Sequence, residues 1–575
     1  MEFTENRKRR ILRIVKDSKI KLATVSGILT TKINLIEWVD NNIPEIEFIT
    51  TKSYQVKPNL GNREPIIVEQ DSGCYGNAVG LKNPGMEKGL EELIRLRNRH
   101  ELKALLNVSL SADSIEDFIL LVKGFEQVAD LLELNFSCPH AGGRYGSVIG
   151  SDPATVKEFI NEIRKNTDAL LFAKLTPNVS NIGKIALAAV KAGADGIVAI
   201  NTVGPEVFRE PYTGHPVLFN PNGQKGGKSG LWIRETALQK VREIRQAVGE
   251  DVPIIGMGGI TSGKDVLKMK EAGADVVGLG SVITRVPSQE LLPHYFYSLK
   301  KDIEENTNLA EELLSKERKM EYKPYKIEDI EEKNEYLRIL SLEGNIGYSS
   351  SQYAFLFIPG IGEKPFSIAG TSPLKFIIRK KGIFTKALFT LRKGDTLLAR
   401  GVYGADSPNN DKSRACVVTG GTGIAVAPKL VEKLHRQGKK VTVYCGATSE
   451  EEILPGKEIS EYATFIPVAD NGIKGRVLDV MVEELAYKNA ADTCFYNIGP
   501  EQFMKTAMEI EVSLGADPMY IYASLETETM CGIGACGNCE CGGRLLCKEG
   551  TFLSLMEISG IEAKQPVHDK QTAPV

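Results

Sequence analysis

LLFAKLTPNVSNIGKIALAAVKAGADGIVAINTV, residues 170–203, is the stretch that decides the fold of the N-terminal half. Its two ends, 170–177 and 196–203, are short apolar runs, and 181–192 between them carries the pattern of an amphipathic helix. Strand, helix and strand in that order predict parallel neighbours joined by a crossover. The same alternation runs outward in both directions. Further strands are predicted at 20–27, 46–53, 102–110, 131–138, 252–259 and 275–282, with helices at 114–129, 153–166, 233–248 and 263–272. Eight strands with intervening helices predict an α/β (β/α)₈ TIM barrel over residues 1–305. A doubly wound sheet is the alternative, although it more often has five or six strands.

Beyond the barrel the pattern changes. Residues 306–330 are rich in Glu and Lys, which predicts a linker. Residues 331–412 show short alternating strands with Gly and Pro turns, including FLFIPG and DTLLARG, which predicts a small antiparallel β-barrel. Residues 413–524 return to an α/β pattern: strands RACVVTGG, KKVTVYCGA and DTCFYNIG with helices at 424–437, 475–489 and 500–514. A cysteine-rich segment, 525–575, closes the chain, which contains no internal repeat and no low-complexity tract.

At 575 residues the chain is too long for one core. Its 42% hydrophobic and 25% charged content is that of a globular protein, and a formal net charge of −3 gives no basic field for nucleic acid or anionic membrane. No run of eighteen apolar residues occurs, and MEFTENRKRR has no apolar stretch behind it, so neither a membrane span nor a secretory signal is expected and the location is predicted to be cytoplasmic.

Five of the ten cysteines lie between 531 and 547, in TETMCGIGACGNCECGGRLLCKEG. Cys531, Cys536 and Cys539 have the C-x4-C-x2-C spacing of a plant-type [2Fe–2S] loop. Cys547 follows after seven residues, enough to return through a short hairpin, whereas Cys541 stands too close to complete the cage without strain. Cys547 is therefore the predicted fourth ligand and Cys541 its rival. Four thiolates also suit structural Zn²⁺, but zinc sites usually pair two C-x2-C units, a pattern this segment lacks.

GGTGIAVAP (420–428) follows a strand and opens a helix, a turn that lets backbone amides approach a pyrophosphate. Lys364-Pro365-Phe366-Ser367, Gly382, Thr385 and Gly394-Asp395 precede it, and IGPEQFM (498–504) follows. In this order of motifs, residues from about 321 to 575 resemble the electron-transfer subunit of the NAD-dependent dihydroorotate dehydrogenases, in the ferredoxin-reductase family. The resemblance implies FAD at Lys364, Pro365, Phe366, Ser367, Gly382 and Thr385, NAD(H) at Gly420, Gly421 and Gly423, and a cluster bridging two flavins. The chain departs from that family where Lys364 stands for Arg and Ile498 for Cys.

Polar residues collect at the predicted strand ends of the barrel, where catalysis in this fold resides: Lys52, Lys174, Asn107, Asn135 and Asn201. Any one Asn is explained as a strand-end cap; three with two lysines suit a pocket that reads amides and holds an anion. KPNLGNREPIIVE, YGNAVGLKNPG, LELNFSCP, FAKLTP and GGKSG make residues 20–290 similar to the dihydroorotate dehydrogenase family. The resemblance implies FMN at Ser26, Gly27, Lys52, Asn107, Lys174, Gly230, Gly258, Gly259, Gly280 and Ser281. It implies a pyrimidine at Lys52, Asn77, Gly80, Leu81, Asn135, His140, Asn201 and Thr202, Cys138 as general base, and a homodimer through the barrel. The chemistry agrees, because oxidising a 5,6-dihydropyrimidine needs a base for the weakly acidic C5 proton opposite the flavin. A lone cysteine is more often core packing, but Cys138 sits after a strand and before a Gly-rich loop.

Two positions pull apart. The family usually reads SCPN, whereas His140 gives SCPH, as in the dihydropyrimidine dehydrogenases that reduce uracil and thymine. Those relatives place a glutamate where this chain has Val79. The favoured expectation is a single-chain dihydroorotate dehydrogenase passing electrons from FMN through [2Fe–2S] and FAD to NAD⁺. The alternatives are an NADH-dependent dihydropyrimidine dehydrogenase and an electron-transfer module with a non-catalytic barrel.

Overall fold

The computed structural model describes residues 9, 11–17, 19–136, 149–454, 456–472, 475–485 and 490–564. They form two compact units. The chain through Glu321 joins Ile533–Leu545 in the first, and Tyr322–Gly532 joins the chain from Leu546 in the second.

The first unit opens with β1 (Lys21–Thr24), β2 (Ile46–Thr50), β3 (Ile67–Asp71), β4 (Cys74–Asn77), β5 (Leu105–Leu110) and β6 (Leu131–Asn135). It continues with β7 (Leu171–Lys174), β8 (Gly196–Ala199), β9 (Val203–Val207), β10 (Lys225–Gly230), β11 (Ile254–Met257) and β12 (Val276–Leu279). Eight of these close a parallel barrel in the order β1-β12-β11-β8-β7-β6-β5-β2. Closure rules out the doubly wound alternative, since β1 pairs with both β12 and β2. The other four, from the connections after β2 and β8, form an antiparallel sheet β3-β4-β10-β9 that the sequence pattern had not predicted.

Period-two alternation turns one column of each barrel strand inward. Ala23, Phe48, Leu131, Phe172, Val198, Ile255 and Val276 fill the interior, with Ile11 and Val15 among them. One pleat further along, several of the same columns become polar, as in Leu131–Glu133–Asn135 and Phe172–Lys174. That switch places the site at the C-terminal ends of the strands. Helices are seated by their caps: Asp152 accepts from Thr155 N ahead of Pro153, and Ser262 with Asp265 makes a capping box.

The second unit begins with β13 (Lys323–Asn334), β14 (Leu337–Leu342), β15 (Tyr353–Ile358), β16 (Gly362–Ser367), β17 (Gly370–Thr371), β18 (Leu374–Arg379) and β19 (Thr396–Tyr403). Where a small barrel was expected, these make a seven-stranded antiparallel sheet, β16-β15-β19-β13-β14-β18-β17. Next come β20 (Arg414–Gly420), β21 (Lys440–Ala447), β22 (Thr464–Ala469), β23 (Thr493–Ile498) and β24 (Ile521–Ser524). The chain then gives β25 (Glu540–Cys541) and β26 (Arg544–Leu545) to the first unit and ends with β27 (Phe552–Ser554). The α/β sheet runs β22-β21-β20-β23-β24-β27, parallel except for β27. Val417, Val443 and Tyr496 bury one face, and Cys416, Val418 and Phe495 the other.

Residues 306–330, expected to be a linker, are largely built into the units. The buried Glu69 accepts from the Lys319 and Met320 amides at 2.8 and 3.2 Å, and β13 starts at Lys323. Their Glu and Lys content reflects side chains that face water, while the backbone takes part in structure. Among the described residues no helix is long and apolar enough to cross a membrane.

Candidate active site

Every predicted barrel residue that the structure describes, save Asn107, lines one cavity at the C-terminal end of the barrel. Cys138 and His140 lie outside the described residues, in 137–148. Asn107 sits just beneath, 1% exposed, donating from Nδ2 to Thr50 Oγ1 at 3.2 Å.

β7 delivers Lys174, whose Nζ pairs with Glu133 at 3.0 Å. Glu133 also accepts from Ser109 Oγ at 2.8 Å. Ser109 meets Ser53 at 2.8 Å, and Ser53 meets Ser26 at 3.2 Å. Asn135 Nδ2 donates to Ser53 Oγ at 3.3 Å, and Asn201 Oδ1 accepts from the Thr202 amide at 2.8 Å. A polar chain thus runs from the barrel interior to the cavity wall. Ser53, Ser109 and Glu133 were not singled out from sequence, although Glu133 shares the inward column of Asn135, two residues on, and that parity was the available signal.

The antiparallel sheet supplies another wall. Asn77 is held opposite Gly227, donating to its carbonyl at 3.2 Å. The 59–62 turn lies against Gly80, with Asn62 Nδ2 donating to Ala78 O at 2.8 Å. Tyr75 also lines the cavity. Burial, and then the Glu69 carboxylate, push its phenol up, so it stays neutral. On the far side Gly259 has φ +73°, and a β-carbon there would press on Arg234. Arg234 fixes that turn, donating to Gly259 O at 2.7 Å and pairing with Asp265 at 2.9 Å. Two ammonium groups, several carboxamides and close-approach glycine turns suit an anionic, amide-bearing flavin such as FMN. Asn107 Oδ1 and Glu133 Oε2 are buried without a hydrogen-bond partner among the described residues.

Ile533, Ala535 and Cys536, which belong to the same unit, line this cavity as well. Their segment is tied to the barrel at several points. Lys32 Nζ donates to Glu540 O at 3.2 Å, and Asn34 Nδ2 donates to Glu540 Oε1 at 3.2 Å. Gln289 Nε2 donates to Gly543 O at 2.6 Å, and its Oε1 accepts from Leu545 N at 2.7 Å. Cys531, Cys536, Cys539 and Cys547 are each buried, whereas Cys541, on β25 opposite Arg544, is partly exposed. Among the described residues no group of three or more His, Cys, Asp or Glu side chains is placed to hold a metal ion. A binuclear cluster asks only two thiolates of each iron.

In the second unit, Lys364–Ser367 occupy β16, and Gly382 caps the helix Ile383–Leu388. Thr385 Oγ1 accepts from the Lys381 and Gly382 amides, and Phe366 and Phe384 bring strand and helix together. Gly420, Gly421 and Gly423 turn the chain from β20 toward the helix Ala427–Arg436, and Gly423 backs onto Ile498 at the end of β23. Backbone at the carboxyl edge of two neighbouring parallel strands is where open α/β sheets take ligands.

Residues 19–289 match the profile of the dihydroorotate dehydrogenase family. The chain is 41% identical over 235 residues to the dihydroorotate dehydrogenase B (NAD⁺) catalytic subunit of Pyrococcus horikoshii, spanning 41% of this chain and 74% of that one. To the Methanocaldococcus jannaschii protein of the same name it is 41% identical over 236 residues, 40% of this chain and 74% of that one. To the Alkaliphilus metalliredigens protein it is 38% identical over 264 residues, 46% and 83% of the two chains.

Proposed function

The chain belongs to the dihydroorotate dehydrogenase family, oxidoreductases acting on CH–CH bonds, and from that membership we propose that it joins both halves of an NAD-dependent dihydroorotate dehydrogenase in one polypeptide. The net reaction is dihydroorotate plus NAD⁺ to orotate, NADH and a proton. The observation that carries this reading is the cavity, which Cys536 of the predicted cluster motif lines together with Lys52, Lys174 and the asparagines.

Lys52 and the backbone at Gly80 and Leu81 would hold the substrate carboxylate, and Asn77, Asn135, Asn201 and Thr202 would read its ring amides. Cys138 would take the C5 proton on the face opposite the flavin. FMN on the barrel, [2Fe–2S] at Cys531, Cys536, Cys539 and Cys547, FAD at Lys364–Ser367, Gly382 and Thr385, and NAD⁺ at Gly420–Gly423 would supply the redox path for the C6 hydride. A homodimer paired through the barrel belongs to the same reading.

His140 keeps uracil and thymine in play. The test is anaerobic: dihydroorotate is expected to reduce the purified enzyme's flavin and drive NADH formation. Orotate, and not uracil or thymine, is expected to reoxidise enzyme reduced by NADH; the reverse pattern would sink the orotate assignment. Cys138→Ser is expected to slow flavin reduction by dihydroorotate by about 10²–10⁴-fold, and an unchanged rate would remove Cys138 as the base.

A further inference from the structure

Glu133 is fully buried in the barrel interior, one pleat below Asn135 on β6, and it is not part of the cavity wall. A carboxylate in such a place is costly unless it is paired. Its partner is Lys174 Nζ at 3.0 Å, and Lys174 does line the cavity. Donor counting gives the adjoining chain a direction. Ser109 spends its proton on Glu133 Oε1, so Ser53 donates to Ser109, and Ser53 Oγ is left to accept from Ser26 and Asn135. The remaining carboxylate oxygen, Oε2, is buried and has no hydrogen-bond partner among the described residues. Glu133 is thus a wholly desolvated anion whose charge is answered chiefly by one ammonium group, and that group faces the cofactor cavity.

From this arrangement we propose that Glu133 is a positioning residue, holding Lys174 at the cavity wall and setting how much positive charge it offers a bound flavin. The inference rests on the reading that the barrel binds FMN. A cation beside the pyrimidine edge of a flavin favours the anionic reduced form, and a neighbouring carboxylate offsets it. In a poorly solvated site that offset is strong, because little water screens it.

Sulfite adds to flavin N5 and leaves negative charge on the pyrimidine edge, so its affinity reports the local charge without turnover. The full-length enzyme is titrated with sulfite, and its FMN content is measured alongside. Glu133→Gln keeps the shape and removes the charge. It is expected to tighten sulfite binding by about tenfold, equivalent to a rise of about 30 mV in the two-electron potential of the FMN. Glu133→Asp keeps the charge on a shorter arm, draws Lys174 back from the cavity and is expected to weaken sulfite binding several-fold. Opposite signs distinguish charge setting from a packing role, which would move both variants alike. Unchanged sulfite affinity in either variant that retains FMN, or a shift of the same sign in both, would overturn the proposal. A wild-type chain that holds no FMN would instead overturn the reading of the barrel itself.

Discussion

Arg400 shows how much a single buried charge can organise. Its side chain is wholly inaccessible and makes a fork with Glu363 at 2.6 and 2.7 Å. It also donates to Tyr403 Oη at 2.6 Å and to the carbonyl of Cys531 at 3.0 Å, and it stacks 3.9 Å from the Phe355 ring centre. Removing one member strands the other in a dry interior, so Arg400→Leu is expected to cost about 3–5 kcal/mol in urea unfolding. Adding Glu363→Leu to that variant is expected to recover much of the loss. Glu511 makes a different case, a fully buried carboxyl bonded to Asn497 Nδ2 at 2.9 Å. Burial raises its pKa well above the ordinary value, and the Asn497 bond only partly opposes that. Among the described residues its Oε1 and Asn497 Oδ1 have no hydrogen-bond partner, an arrangement that suits a protonated acid facing an amide. As pH climbs past the ordinary carboxyl range the unfolded chain ionises and the folded one does not. Stability should then fall by about 1.4 kcal/mol per pH unit until the folded group titrates. Glu511→Gln is expected to remove that slope, matching wild type near pH 4 and exceeding it at pH 8 in thermal or urea midpoints.

Among the elements, the 533–545 segment depends on its anchors more than on its own β25–β26 ribbon, which has only two residues per strand. Gln289 is 2% exposed and satisfies both the Gly543 carbonyl and the Leu545 amide. Truncating it would leave two buried backbone groups unpaired, at about 1–3 kcal/mol each. Gln289→Ala is therefore expected to raise hydrogen exchange at Leu545 and its neighbours by at least tenfold, with the barrel strands unaffected. Uniform exchange across the unit would show that the anchor is not local. The barrel strands themselves were legible in the sequence because their apolar runs are local and bounded by turns. The sheet β3-β4-β10-β9 was not, because β4 (CYGN) and β10 (KGGKSG) are Gly-rich and β9 (VGPEV) carries Gly and Pro, a composition that marks turns more than strands. Its register joins Asn77 to Gly227, a pairing that no window along the chain contains.

At the scale of the whole chain, the first unit is discontinuous: the polypeptide leaves it after Glu321 and returns for Ile533–Leu545. A chain ending at Glu321 would lose the cavity-wall residues Ile533, Ala535 and Cys536 and the four anchoring bonds of Lys32, Asn34 and Gln289. It is expected to be less stable by about 4 kcal/mol and to retain FMN several-fold less well, as thermal melting and FMN content would show; a truncated barrel with the melting point and FMN content of the full chain would contradict this. Sequence by itself determined what is local or periodic. The eight-strand alternation, the polar strand ends, the Gly-rich turn at 420–423 and the cysteine spacing at 531–539 were all legible, because each is written within one strand, turn or loop. Only the tertiary structure decided what depends on closure and packing. Barrel closure turned Glu133 and Lys174 inward from adjacent strands and made them a pair, and the return of 533–545 put a cysteine motif into the wall of a cavity built some 250 to 500 residues earlier. Such contacts are fixed by which surfaces can be buried together, and that is a property of the folded chain as a whole.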